Sequence, residues 1–410
     1  MNKIKAAWVI GAIGRGGVIT VCRNATEFVA LNEDFDVSLV AINTCMPGFV
    51  VPTGVKVEIL NLPFQAISAT TGFIKWLENN PQDILFFNDA SYAEPSWPFI
   101  PPTTVLVPVL HDVARGWRKN IVKYHKSWDM VVTVSEFVKG ELLKDIPHCA
   151  GRIRVVHNGI KFSENHSRND AGIKERLQLV YAGSTDPFKG IFDIPHIISL
   201  LERENVIYDL YILSVPDETI KNMILNRIRK GKLIWEGYLN HDECMARFAN
   251  SDILVMPSRS EPFGMVTVEA MTMGCVPVAY DLPSGSREII KNGQTGLLVS
   301  PSSPTNIAKA IVELYHNRTM LKEIGYNAMK DVRERFSAEK MADGYIRVAR
   351  EAMDIHLKNT PLRKDFDVKE IEIPTRSLWF RLLPSVMKKR VKKVLCKNVV
   401  FSAWLRKMRG

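Results

Sequence analysis

The sequence predicts an α/β protein of two doubly wound, Rossmann-like domains with a basic amphipathic helical tail. Three observations predict this. Short apolar runs alternate with helix-like segments along most of the chain, which is the pattern of a largely parallel sheet covered by helices. At 410 residues there is length for two domains with substantial cores. A polar stretch at 161–176 with linker composition interrupts the alternation, which then begins again. The expected division is therefore 1–165, 166–357 and a tail at 358–410.

Taken in order, residues 5–13 read as a first strand running into Gly14-Arg15-Gly16-Gly17, which opens a helix to about Leu31. The pattern is not Gly-x-Gly-x-x-Gly, and no acidic residue closes a second strand about twenty positions on, so a dinucleotide fingerprint is absent. Further strands are expected at 36–42, 55–60, 83–88, 104–110, 129–134 and 152–156, with helices around 66–79, 116–126 and 135–144. Parallel sheets bind ligands at their strand C-termini, and two features lie there: Asn88-Asp89 and His111-Asp112. A neutral imidazole can hydrogen-bond a sugar hydroxyl without bringing a fixed charge; a half-buried His beside an Asp helix cap is the plainer reading of the same pair.

The second series opens with a strand at 177–182, followed by the loop Gly183-Ser184-Thr185-Asp186-Pro187-Phe188-Lys189-Gly190. A cation at a helix start gains nothing from the helix dipole, so Lys189 points to a bound anion. Then comes the stretch that organises the chain. The apolar run Ile253 to Met256 reads as a buried strand ending at Pro257, and a helix begins near Phe263 or Gly264, with Ser258 and Ser260 available as caps and Gly274 as its stop. Glu261 precedes this helix and Glu269 lies inside it among Met, Val and Ala, where a carboxylate is costly unless something polar meets it. A phosphate-bearing ligand along the helix N-terminus is such a partner. Helices near 304–316, 318–334 and 338–357 complete the unit.

The segment Glu-Pro-Phe-Gly-Met-Val-Thr-Val-Glu-Ala-Met, residues 261–271, resembles the paired-glutamate signature of glycosyltransferase family 4, whose members are retaining, nucleotide-sugar-dependent enzymes of the GT-B fold. The resemblance covers about 1–357 and is strongest from 177 to 300. It implies two Rossmann-like domains facing across a cleft, with the donor held mainly by the second, the acceptor on the side of the first, and the last helix, 338–357, crossing back toward the first. By the same resemblance Glu261 contacts the donor sugar, Glu269 holds the ribose hydroxyls, and Phe263, Gly264, Met265 and Val266 border the diphosphate and sugar through their backbone. Lys189 pairs with the diphosphate, Gly16 and Gly17 close over it, and His111 approaches the sugar, so His111 and Glu261 are the catalytic candidates. Ser184 stands where the family usually has arginine, which removes one of two expected cations. No metal and no cofactor beyond the nucleotide-diphosphate sugar are expected. The acceptor is expected to be a glycan or a lipid-linked glycan, in surface polysaccharide, lipopolysaccharide or glycolipid synthesis. A nucleotide-sugar epimerase of the same fold and a non-catalytic nucleotide-sugar sensor remain as alternatives.

Composition narrows the partners. Eleven Lys or Arg and no Asp or Glu lie between Arg376 and Gly410, so the tail exceeds the whole chain's +10 and residues 1–375 are near neutral. That argues against nucleic acid as a partner of the main body. Within the tail, apolar residues from Trp379 to Met408 recur at three- and four-residue spacing between the cations. Such a helix lies on an anionic membrane surface or packs on the first domain with its basic face solvated. No stretch reaches the ~18 apolar residues of a spanning helix, and six scattered cysteines give neither a zinc site nor a disulfide framework. The expected location is the cytoplasm, with peripheral attachment to the cytoplasmic membrane face through 376–410.

Overall fold

The computed structural model describes residues 2–14, 16–162, 175–301, 303–359 and 361–371. It is α/β throughout, with two all-parallel sheets in separate compact units. In the first unit the elements run β1 (Ile4–Ile10), α1 (Gly17–Val29), β2 (Phe35–Ala41), β3 (Lys56–Ile59), α2 (Ala66–Asn79), β4 (Ile84–Asn88), β5 (Val105–Leu110), α3 (Arg115–Lys123), β6 (Val131–Thr133), α4 (Glu136–Leu143) and β7 (Ile153–Val155). The strand order is β3-β2-β1-β4-β5-β6-β7. β4 and β5 are buried at every position, as strands covered on both faces must be, and their residues read as continuous apolar runs for that reason.

The second unit contains β8 (Leu177–Ala182), α5 (Ile194–Arg203), β9 (Tyr208–Leu213), α6 (Glu218–Leu225), β10 (Lys232–Trp235), α7 (His241–Ala249), β11 (Ile253–Met256), α8 (Met265–Thr272), β12 (Val276–Tyr280), α9 (Ser286–Ile289), β13 (Leu297–Val299), α10 (Pro304–His316) and α11 (Arg318–Arg335). Its order is β10-β9-β8-β11-β12-β13. In both sheets the first strand has the second on one side and the fourth on the other. The connections therefore reverse direction between β1 and β4 and again between β8 and β11. Ligands of doubly wound sheets bind outside the strand C-termini at such a reversal.

The last long helix of the described residues, α12 (Ala338–Lys358), belongs to the first unit, which comprises the described residues up to Lys161 and from Ala338 to Ile371, while those between Phe162 and Ser337 form the second. The division expected from sequence ended the second domain at 357 with this last helix as a crossover helix. Packing shows why it belongs to the first unit. Tyr345 sets its ring edge-on to Trp8 and Phe86, which themselves stack at 4.4 Å in the core of the first sheet. Gly344 lets α12 approach β7 so closely that a Cβ there would lie 2.9 Å from Val156. Arg154 donates to Glu351, and the Ala338 N–H donates to Ile160 O at 2.9 Å.

Residues 361–371, placed in the tail by sequence, also pack on this unit. Arg363 donates to Ile100 O at 3.1 Å, and Phe366 sets its ring edge-on to Phe99. The basic helix expected at 376–410 lies outside the described residues.

Candidate active site

The second unit's candidate site is built on the loops that leave β8 and β11, the two strands flanking its reversal point. After β8, Tyr181 donates its hydroxyl to Ser184 O at 2.9 Å, and Asp186 caps a one-turn 3-10 helix at Pro187–Lys189 by accepting from the Phe188 N–H. Gly190 then takes φ +74°, and a Cβ there would lie 1.9 Å from Pro257 O, so only glycine lets this loop touch the one after β11. The two loops are also joined through the Arg259 N–H, which donates to Phe188 O at 2.8 Å.

This contact brings two of the expected residues together. Lys189 Nζ lies 3.0 and 2.8 Å from the two carboxylate oxygens of Glu261, and the Glu261 side chain is only 14% exposed. Glu261 is itself held from below, since its backbone carbonyl accepts from the Gly285 N–H at 2.8 Å. Gly285 is obligatory there, because a Cβ would lie 2.4 Å from the Phe263 backbone.

Immediately after Glu261, Gly264 starts α8 at φ +118° with no side-chain cap. Ser258 and Ser260 thus do not cap this helix. The turn through Pro262 and Phe263 places the start later than they can reach, and a glycine in the left-handed region takes the capping position instead. The N–H groups of Met265 and Val266, first in the helix, have no intrahelical acceptor. The Phe263 ring is buried against Phe336, so only its backbone is available to a ligand. Glu269, one turn further along α8, is 14% exposed, and burial pushes its carboxyl up to about 7. His241 Nδ1 stands 3.8 Å from Glu269 Oε1.

Ser184 Oγ accepts from the Asp186 N–H at 3.3 Å, which leaves its hydroxyl hydrogen free to turn outward. Among the described residues, the arginine closest in sequence to Glu261 does not make up for the missing one. Arg259 spends its guanidinium on Asp193, at 3.0 and 2.9 Å, and Tyr280 donates to the same carboxylate.

In the first unit, Gly16 caps α1 at φ +126° with open space above its Cα, and Gly17 is the first helical residue. At the reversal between β1 and β4, a Cβ on Gly11 would lie 2.8 Å from Asp89 O, and Asp89 has φ +40°, a strained value for a non-glycine residue. Burial, aided by Asp112, pushes the Asp89 carboxyl up to about 7. His111 is 9% exposed at the end of β5; its Nε2 lies 2.9 Å from Asn88 Oδ1, and burial depresses its pKa to about 4. Among the described residues no group of three or more His, Cys, Asp or Glu is arranged to hold a metal ion, and no helix is long and apolar enough to cross a membrane.

Sequence reasoning missed His241 beside Glu269 and Asn88 beside His111. The first was findable: Asn240 and Glu243 form a capping box that puts His241 at the head of α7. The second depends on strand register, since Asn88 faces Val109 across the β4–β5 ladder, two residues before His111.

Comparison with known proteins falls on the same region. Residues 163–331 match the family model for glycosyl transferases group 1. This span nearly coincides with the second unit. Over 239 residues the chain is 29% identical to an uncharacterized glycosyltransferase of Methanocaldococcus jannaschii, covering 55% of this chain and 60% of that one. It is 28% identical over 193 residues to glycogen synthase of Mycobacterium tuberculosis, covering 45% and 44%. The chain thus spans about 60% of the first relative's length.

Among solved structures, sucrose-phosphate synthase from Thermosynechococcus elongatus superimposes with a TM-score of 0.69 at 16% identity over 86% of this chain and 100% of that one. Anabaena HepE in complex with UDP-glucose gives 0.67 at 16% identity over 86% and 100%. Likeness at these identities concerns the fold, which is GT-B.

Proposed function

We propose that this chain is a retaining, metal-independent glycosyltransferase of family 4, moving a sugar from a nucleotide-diphosphate donor to a hydroxyl of a glycan or lipid-linked acceptor. The observation that carries the proposal is the meeting of Lys189 and Glu261 at the reversal point of the second sheet, directly before the uncapped start of α8. Such a place offers a diphosphate one ammonium and free backbone N–H groups, and offers the attached sugar a carboxylate. The group 1 match over 163–331 and the neighbour crystallised with UDP-glucose support the same reading.

In this reading the reaction breaks the bond between the anomeric carbon and the diphosphate oxygen. The developing charge on the leaving group is met by Lys189 and by the N–H groups of Met265 and Val266. The acceptor oxygen bonds to the anomeric carbon on the face the diphosphate leaves, and the departing phosphate takes its proton. Glu269 accepts hydrogen bonds from the ribose. Gly16, Gly17 and His111 keep the roles the resemblance gives them, at the donor phosphates and sugar. Acting on surface polysaccharide, lipopolysaccharide or glycolipid, and docking on an anionic membrane through 376–410, belong to the proposal as well.

A thermal-shift panel of nucleotide sugars tests it. A ligand present at about 100 times its Kd stabilises the folded state by about 2.7 kcal/mol. One donor should raise the melting temperature of the wild-type chain and raise that of Lys189→Ala less. A panel with no stabilising donor, or equal stabilisation of Lys189→Ala, removes the proposal.

A further inference from the structure

Asn88 is fully buried at the end of β4, with Ile10 of β1 on one side and Val109 of β5 on the other. Its amide nitrogen donates to Phe86 O at 2.9 Å and reaches Val9 O at 3.5 Å. Both are carbonyls, which only accept, so the amide cannot be turned around. The atom it presents to His111 is therefore Oδ1, another acceptor, at 2.9 Å from Nε2. That bond requires the imidazole proton to sit on Nε2. A neutral ring has one N–H, so Nδ1 is left as a lone pair, and it has no hydrogen-bond partner among the described residues.

We infer that Asn88 is a positioning residue that fixes the tautomer and ring orientation of His111, so that His111 acts on the ligand as a hydrogen-bond acceptor through Nδ1. Two consequences follow, the second resting on the assignment of His111 to the donor sugar. First, the imidazole stays neutral at neutral pH, since burial depresses its pKa to about 4 and its bond to Asn88 brings no charge. Second, the group that meets His111 must itself be a donor, namely a hydroxyl or an amide N–H. A sugar presenting a carboxylate at that point would set two acceptors against each other and be rejected. A buried acceptor facing an acceptor is a strong basis for discrimination, because neither finds a partner.

The test uses the full chain labelled with nitrogen-15 histidine. Long-range nitrogen–proton spectra of the wild type between pH 6 and 8 should show His111 as the neutral tautomer with its proton on Nε2. Asn88→Ala should populate the Nδ1-protonated form. A wild-type ring protonated on Nδ1, or charged at neutral pH, overturns the inference, as does an unchanged tautomer in Asn88→Ala. Because the wild-type spectrum decides the first point, a poorly folding variant does not spare the inference.

The second arm measures binding of UDP-glucose. Asn88→Ala and His111→Ala should each weaken it by about tenfold, the loss of one well-made hydrogen bond. If the tautomer is as inferred but neither variant alters binding, the assignment of His111 to the sugar fails while the positioning by Asn88 stands.

Discussion

Glu269 provides the sharpest quantitative test of the donor site. Its carboxyl is pushed from the ordinary 4.5 up to about 7 because α8 buries it among apolar neighbours. At about 1.4 kcal/mol per pKa unit, that displacement corresponds to about 3 kcal/mol between the protonated and ionised forms. In the unfolded chain the group ionises near 4.5, and in the folded chain near 7. Its contribution to stability is therefore complete below 4.5, falls as pH rises through 7, and is lost above that.

Glu269→Gln removes this dependence. The variant should gain on the wild type by about 3 kcal/mol between pH 4.5 and 8, or roughly 6–12 °C in melting temperature. Only the difference between the two proteins is informative, since burial also raises Asp89 and Glu94 to about 7. Ligand binding should have the opposite sign. Ribose hydroxyls donate to the ionised carboxylate, so affinity for UDP-glucose, whose diphosphate does not titrate here, should rise about tenfold from pH 6 to 8 as the ionised fraction grows. Titration calorimetry at several pH values reads this directly. A wild-type affinity that is flat with pH, or the same slope in Glu269→Gln, refutes the placement of Glu269 on the nucleotide.

Two further outcomes follow from the geometry. Glu261→Gln removes the anion that Lys189 holds in the unliganded protein, so binding of UDP should tighten by roughly three- to tenfold while sugar transfer falls sharply; the exposure of Lys189 keeps the gain modest. Weaker UDP binding in that variant, by calorimetry, would mean that the carboxylate orients the lysine instead of competing for it. Deleting 376–410 should abolish sedimentation with anionic vesicles and leave nucleotide-sugar binding intact. Unchanged vesicle binding would end the membrane role of the tail.

Much of the fold was readable because its signals are local. The central strands β4, β5 and β11 are buried at every position, so each appears in the sequence as a largely apolar run, and all three fall within two residues of expectation. Pro304 at the first position of α10 and Asn317 capping α11 are likewise local signals. What sequence did not reveal depends on contacts distant along the chain. The apolar stripe of α12 specifies a helix but not which sheet it covers, and that is decided by Tyr345 meeting Trp8 and Phe86. The cap of α8 went to Gly264 instead of a serine because the preceding turn, fixed by Gly285 beneath it, could not be seen from the residues alone.

Ser184, standing where the family that this chain resembles usually has arginine, takes on meaning once these contacts are known. A second cation is not recovered from Arg259, which is committed to Asp193 together with Tyr280. The Lys189 ammonium is already paired with Glu261 before any donor arrives. If a diphosphate binds as proposed, its compensation comes mainly from backbone dipoles: a left-handed glycine opens α8, no side chain among the described residues occupies its first N–H groups, and Ser184 keeps a hydroxyl hydrogen to donate. Dipoles held by the backbone are rigid and do not depend on proton uptake. If they dominate, donor binding should lose little with rising salt, whereas a site relying on two cations would lose much more. On this view Ser184 does not disable the site. It shifts the burden of holding the diphosphate from mobile side-chain charge to fixed N–H groups, and leaves Lys189 free to respond to the sugar through Glu261.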